Sequence, residues 1–318
     1  MSQISIVTYT YNRELFLPRT IESVLSQSFQ DFDYIIVNNG STDSTRVLLE
    51  QYSIRDKRVS IITRPVNDVS MEFFKLYKSI VLNNKARYYM QIDDDDYMEH
   101  TTVGTLIDLI SENNADISVI GSKWVYSDGS IENKYVFDGT YIFSRTEAVE
   151  ELLKRKMFNS AQGGKLYRKS LLENVELPIV EHYRDIHREY RVINNISKMV
   201  VSGTPLYYFS RHNSNVSGLD SPGQITPEKM RQHMEANTMR TEWLTEHMPE
   251  IKDFVLYCEL SFMISLYERI YRLDVKSCFH IAQEMKNTLA DYSCFLVQNE
   301  FCTEREKEIL RLIVFNQG

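Results

Sequence analysis

The chain reads as an α/β protein: a mostly parallel sheet with helices on both faces, continued by a C-terminal helical region. Three observations lead there. Through residue 121, short β-rich apolar runs alternate with amphipathic stretches of helical period. One of those runs, Tyr88-Tyr89-Met90-Gln91-Ile92, passes straight into four consecutive carboxylates, Asp93 to Asp96. Beyond Pro227 almost every segment carries helical periodicity.

In order, Ile4–Tyr9 is expected as a strand and Leu15–Leu25 as a helix with Leu17, Ile21, Val24 and Leu25 on one stripe. Tyr34–Val37 is a short strand. Ser41–Tyr52 reads as a helix opened by Ser-Thr-Asp-Ser, a strong N-cap signature. Val59–Thr63, Arg87–Ile92 and Asp116–Gly121 are strands, separated by helices over Ser70–Leu82 and Thr101–Ser111. Lys123–Tyr141 has a hairpin pattern turning at Ser127-Asp128-Gly129. Glu147–Lys156 is an amphipathic helix, and Gly163–Leu172 is expected to open another. Ser210–Pro227, rich in Ser, Asn, Gly and Pro, reads as a loop or linker. Four helices then follow: Glu228–His247, Pro249–Tyr271, Val275–Ala290 and Thr303–Phe315.

The 318 residues suffice for one large or two modest domains. With 36 Lys and Arg against 44 Asp and Glu, net charge is −8, which argues against sequence-independent nucleic-acid binding. No leader is visible before the first strand, and no apolar window reaches membrane-spanning length, so a cytoplasmic protein is expected. Cys258, Cys278, Cys294 and Cys302 form no CxxC pair and read as free buried thiols in a reducing compartment.

In a sheet of this kind ligands bind outside the carboxyl ends of the strands. The Asn38-Asn39-Gly40 turn and the Asp93–Asp96 cluster both fall at such ends. Four carboxylates cannot crowd together near neutral pH without a compensating cation. A hard divalent metal bridging to a phosphate supplies one; an exposed acidic turn capping the next helix is the alternative.

Five segments occur in order: Val7-Thr8-Tyr9-Thr10-Tyr11-Asn12-Arg13-Glu14, Ile36-Val37-Asn38-Asn39-Gly40-Ser41-Thr42-Asp43, Ile92 with Asp93–Asp96, Lys165-Leu166-Tyr167-Arg168-Lys169-Ser170, and Pro205-Leu206-Tyr207-Tyr208. Together they resemble the GT-A fold glycosyltransferases of family 2, which transfer a sugar from a nucleotide donor with inversion. The likeness covers roughly residues 3 to 217. Residues 1–217 would form the catalytic domain, and 218–318 a helical domain for packing, oligomerisation or membrane association.

The resemblance implies roles. Tyr9 and Tyr11 would line the base and ribose pocket, although strand alternation could instead bury one of them in the core. Arg13 would reach the diphosphate or pair with Glu14. Asn39 stands where the family usually has an Asp that accepts from uracil, and Asn38 replaces the Asp before it. An amide both donates and accepts, so UDP remains the expected donor nucleotide. Asp43 would cap a helix. In the acidic cluster Asp95 would contact Mn2+ or Mg2+, Asp93 the ribose or a metal-bound water, and Asp94, which replaces a Ser, would border the nucleotide-sugar. Asp96 would cap or orient.

Asp185, preceded by Arg184 where the family has Glu, would be the general base, with Glu181 in reserve. His212 would be a further metal ligand. Lys78, with Lys75, would meet the diphosphate. The implied partners are a nucleotide-sugar donor and a glycan or lipid-linked glycan acceptor, as in capsule or lipopolysaccharide synthesis. The aromatic and Met stripe Phe254, Tyr257, Phe262, Met263, Leu266, Tyr267, Ile270, Tyr271 lies outside the resemblance. It would pack on the chain itself or build a homo-oligomer, in preference to peripheral contact with the inner face of the plasma membrane. Two rival functions remain: a nucleotidyltransferase, although Thr8–Glu14 lacks a Gly-rich triphosphate loop, and a non-catalytic sugar-nucleotide-binding or scaffolding protein.

Overall fold

The computed structural model describes residues 2–67, 71–173, 175, 176, 178, 180, 183–212 and 222–315. They fall into two compact units, residues 1–181 with 191–212, and 182–190 with 213–318.

The first unit is built on one sheet. Strand β1 (Ile4–Thr10) is buried on both faces, its polar residues Ser5, Thr8 and Thr10 included. Helix α1 (Leu17–Leu25) buries Leu17, Thr20, Ile21, Val24 and Leu25, the stripe its spacing demands. Then come β2 (Phe32–Asn39), α2 (Thr45–Arg55), β3 (Val59–Arg64), α3 (Met71–Asn83), β4 (Tyr88–Gln91), the short β5 (Tyr97–Met98) and α4 (Thr102–Glu112). They are followed by β6 (Ile117–Tyr126), β7 (Ile131–Tyr135), β8 (Thr140–Phe143), α5 (Arg145–Lys154), β9 (Lys165–Arg168), α6 (Lys169–Glu173), α7 (Arg184–Ile193) and β10 (Met199–Arg211). Strand order is β3-β2-β1-β4-β9-β6-β10-β5, with β7 on β6 and β8 on β10.

The sheet is mixed. β3, β2, β1 and β4 run parallel, as do β6 and β10. β9 lies antiparallel between β4 and β6, so the strands on either side of it point the same way. The carboxyl ends of β1, β2, β4, β6 and β10 therefore share one edge.

Several expectations change. Lys165–Arg168 is the strand β9, not the start of a helix; α6 begins only at Lys169. Leu166 and Tyr167 are fully buried in the sheet, and a four-residue segment is too short for period to separate strand from helix. The second helix starts at Thr45 rather than Ser41, because Ser41–Ser44 are held in a loop by the preceding turn. Ser210 and Arg211 belong to β10, not to a linker; residues 213–221 lie outside the described residues, as does Glu181.

At the junction of β6, β7 and β10 the backbones approach so closely that side chains are excluded. A Cβ on Gly203 would lie 1.9 Å from the Phe137 carbonyl oxygen, and one on Gly121 2.4 Å from the Gly203 oxygen.

In the second unit α8 (Pro227–His247), α9 (Lys252–Arg272), α10 (Phe279–Asp291), α11 (Ser293–Gln298) and α12 (Glu304–Phe315) enclose their own core. Much of the expected aromatic and Met stripe is used there: Met263, Leu266 and Ile270 are buried in that core, and Tyr257, Phe262 and Tyr267 pack partly against it. Tyr271 remains 45% exposed. The cysteines are free, but only Cys278 and Cys302 are buried; Cys294 is exposed. No helix among the described residues is long and apolar enough to cross a membrane.

Because Gly203 has no room to relax, Gly203→Ala should cost about 3 kcal/mol through overpacking, read as a lower urea midpoint at unchanged slope.

Candidate active site

Two loops meet at the ends of β1 and β2, and they are sewn together by hydrogen bonds. Asn12 adopts a left-handed conformation, φ 53°, which Asn tolerates better than most residues. Its carboxamide oxygen accepts from the Thr42 amide (2.8 Å), and its own amide donates to the Ser41 hydroxyl (3.0 Å). The Arg13 amide donates to the Thr45 hydroxyl (3.0 Å), and the Glu14 carboxylate accepts from the Ser44 amide (2.8 Å). Asp43 accepts from the Thr45 amide (3.0 Å) and the Glu14 amide (3.3 Å). Asn38 closes the turn by accepting from the Ser41 amide (3.0 Å). Gly40 carries φ 74° and packs so tightly on Val66 that a Cβ would lie 2.5 Å from its carbonyl carbon.

Asn39 is buried and engaged on both sides of its amide. Its oxygen accepts from the Arg64 guanidinium (2.5 Å) and its nitrogen donates to the Asn67 side-chain oxygen (2.5 Å). Tyr9 is partly buried, while Tyr11 is 38% exposed on the turn after β1.

The four aspartates have four environments. Asp93 is exposed, within 3.4 Å of the Gln91 amide. Asp94 pairs with Arg13 at 3.4 Å, so in the chain by itself this Arg meets the acidic cluster rather than Glu14. Asp96 is buried; it accepts from the Tyr207 hydroxyl (2.8 Å) and the Ser210 amide (2.8 Å), while its carbonyl accepts from the Thr20 hydroxyl (2.7 Å). Burial, with Asp93 and Asp95 nearby, pushes its carboxyl well above the usual range.

Asp95 faces His212. Its Oδ2 lies 2.8 Å from His212 Nε2, with both side chains nearly buried. The imidazole stacks on Phe16, ring centroids 4.5 Å apart. The Asp95 backbone carbonyl is held by Arg19 (3.1 Å) and the Ser210 hydroxyl, and Arg19 also donates to that hydroxyl (2.8 Å). Two ligands held cis at about 2.1 Å in an octahedral shell stand about 3 Å apart, so this pair already has nearly the spacing that a Mn2+ or Mg2+ ion needs. The carboxylate of the pair is a donor type that suits Mn2+ or Mg2+. Among the described residues no group of three or more His, Cys, Asp or Glu side chains is assembled.

Other expected residues are placed elsewhere. Lys78 is exposed on α3, without an ion pair among the described residues, and Lys75 is exposed on the same helix. Asp185 lies in the first turn of α7, in the part of that helix that belongs to the second unit. There Tyr183 stacks on His233 of α8 (4.4 Å) and Tyr190 packs against Trp243 (5.2 Å).

The family model described as Glycosyl transferase family 2 matches residues 5–176, more than half of the chain. The chain belongs to glycosyl transferase family 2. Glycosyltransferase GlyG of Streptococcus pneumoniae is 24% identical over 226 residues, covering 67% of this chain and 72% of GlyG. Of the related GlyA, also 24% identical, the chain spans only 31%. Poly(ribitol-phosphate) beta-glucosyltransferase of Bacillus spizizenii is 24% identical over 65% of this chain and 32% of that protein. Staphylococcus aureus TarS 1–349 in complex with UDP-GlcNAc superposes with a TM-score of 0.64 at 17% identity, over 98% of this chain and 85% of that one. The mannosyltransferase PcManGT of Pyrobaculum calidifontis, in complex with GDP-Man and Mn2+, gives 0.55 at 8% identity, over 98% and 84%. These superpositions establish the GT-A fold, and the family establishes the chain as a glycosyltransferase.

The motifs located the acidic cluster, but not what supports it. Arg19, Phe16 and Arg64 lie in no motif and could be found only from tertiary packing. Tyr207 and Ser210 stood in and beside the Pro-Leu-Tyr-Tyr element without any signal that they clasp Asp96.

Burial pushes the Asp94 carboxyl up to about 6, against the opposing pull of Arg13 and with help from Asp95. The folded value exceeds the ordinary one, so the contribution of Asp94 to stability is complete below about pH 4 and is lost as pH rises through 6. A displacement of that size is worth about 3 kcal/mol. Asp94→Asn should therefore gain on the wild type by about that amount between pH 4 and 7, measured by urea unfolding of both proteins across the range.

Proposed function

We propose that this glycosyltransferase moves one sugar, with inversion, from a UDP-sugar to a hydroxyl of a growing surface glycan or lipid-linked acceptor. The carrying observation is the Asp95–His212 pair, an oxygen and a nitrogen 2.8 Å apart at the shared carboxyl edge of the sheet. Two protein donors plus phosphate oxygens is the usual arrangement for a hard cation on a phosphate substrate. When bound, Mn2+ or Mg2+ would supply Lewis-acid neutralisation of the departing diphosphate.

The chain's own residues do the rest. Tyr11, exposed on its turn, offers a face to the base. Asn39 is held by Arg64 and Asn67, so reading of the base falls to this three-residue group rather than to Asn39 alone. Asp93 meets the ribose or a metal-bound water, and Arg13, paired with Asp94, reaches the diphosphate. Asp185 takes the proton of the acceptor hydroxyl as that oxygen attacks, a role that rests on its motif position. UDP as donor, and surface glycans as acceptors, draw support from the TarS complexes with UDP and UDP-GlcNAc and from the poly(ribitol-phosphate) beta-glucosyltransferase of Bacillus spizizenii.

A thermal-shift panel of nucleoside diphosphates with Mn2+ should give UDP the largest stabilisation, and Asp95→Ala and His212→Ala should each abolish the metal-dependent part. A larger shift with GDP would overturn the donor assignment. Asp185→Asn should keep UDP binding while lowering kcat by about 10³-fold; a variant as fast as wild type would remove Asp185 from the mechanism. Donor bound but never cleaved, with or without added acceptors, would leave a sugar-nucleotide-binding protein.

A further inference from the structure

The hairpin of β6 and β7 carries a feature that the transfer reading leaves unused. Ser122 pairs with Tyr135 and Lys123 with Asn133, so Lys134 is the extra residue of a β-bulge. Bulges re-aim side chains, often beside active sites. Here the bulge lays the Lys134 amine over the ring of Phe209, 3.7 Å from its centroid, with Tyr135 at 5.1 Å and Trp124 at 5.6 Å. The amine makes no ion pair among the described residues.

Its electrostatic surroundings are cationic. Arg211, stacked on Trp124 at 4.9 Å, acts on it together with Arg155 and Lys165, against the opposing pull of Asp96. That carboxyl is already committed to Tyr207 and Ser210. Burial first, then Arg211, brings the lysine down to about 7. An arriving anion would restore its full charge. In a chain of net charge −8, a desolvated amine among cations is a costly arrangement, and an anion would relieve it.

Sheet order says which substrate supplies that anion. The nucleotide-type loops stand at β1 and β2, and the metal-type pair follows β4. β6, β7 and β10 lie beyond β9, on the opposite side. Tyr207 and Tyr208 of β10 pair with β5 directly after Asp96, so this surface adjoins the acidic cluster. The aromatic rings suit the apolar face of a sugar.

We propose that Lys134, seated on the aromatic rings at the bulge, binds an anionic group of the acceptor, either a phosphate ester or a sugar carboxylate. This rests on the transferase reading for the word acceptor only.

Titration calorimetry at low ionic strength with glycerol 3-phosphate, D-glucuronate and D-glucose tests it, with UDP and Mn2+ as control. One of the two anions should bind about tenfold more tightly than glucose, and which one decides between phosphate and carboxylate. Lys134→Met should lose that preference, Lys134→Arg should keep it, and UDP affinity should be unchanged in both, which also reports that they are folded. Glucose binding as well as both anions, or a preference undiminished in Lys134→Met, overturns the proposal. A parallel loss of UDP binding in Lys134→Met would move the amine to the donor diphosphate and overturn it equally. Failure of the wild type to bind UDP would instead sink the transferase reading, with the anion preference still measured on its own.

Discussion

The candidate site depends on one buried carboxylate that takes no part in the proposed chemistry. Asp96 accepts from the Tyr207 hydroxyl and from the backbone amide of Ser210, and so binds the end of β4 to the last residues of β10. His212 follows Ser210 by two residues, and this clamp carries its imidazole onto Asp95. A buried polar group needs its hydrogen bonds. Asp96 cannot be satisfied unless β10 arrives in this register, so its desolvation also specifies the pairing. Gly163 extends the dependence, since a Cβ there would lie 2.4 Å from the Tyr207 ring.

Around this clamp the acids are differentiated by environment rather than by type. Four aspartates in a row would repel one another if all were ionised and exposed. Burial raises the Asp96 carboxyl well above its ordinary range, Asp94 is opposed by Arg13, and Asp95 has the His212 imidazole. The crowding that looked prohibitive on paper is thereby divided among separate partners.

The second half of the mechanism belongs to a different part of the chain. The portion of α7 that carries Asp185 is seated on α8 through Tyr183 on His233 and Tyr190 on Trp243. The C-terminal helices thus hold the helix that bears the proposed base.

The sequence by itself determined the alternation of strands and helices, the carboxyl-edge location of Asn38–Gly40 and Asp93–Asp96, the family likeness, and the helical tail, because period, turn residues and motif spacing are local properties. Tertiary structure alone decided that Lys165–Arg168 would be an antiparallel strand, since its four residues carry too little period to decide and only the vacancy between β4 and β6 settles the matter. It decided equally that Arg13 meets Asp94, that Asn39 is shared by Arg64 and Asn67, and that the bulge lifts Lys134 onto Phe209. Each of these joins residues 25 or more positions apart, and no local pattern records which partner a polar group will find once water has been removed from it.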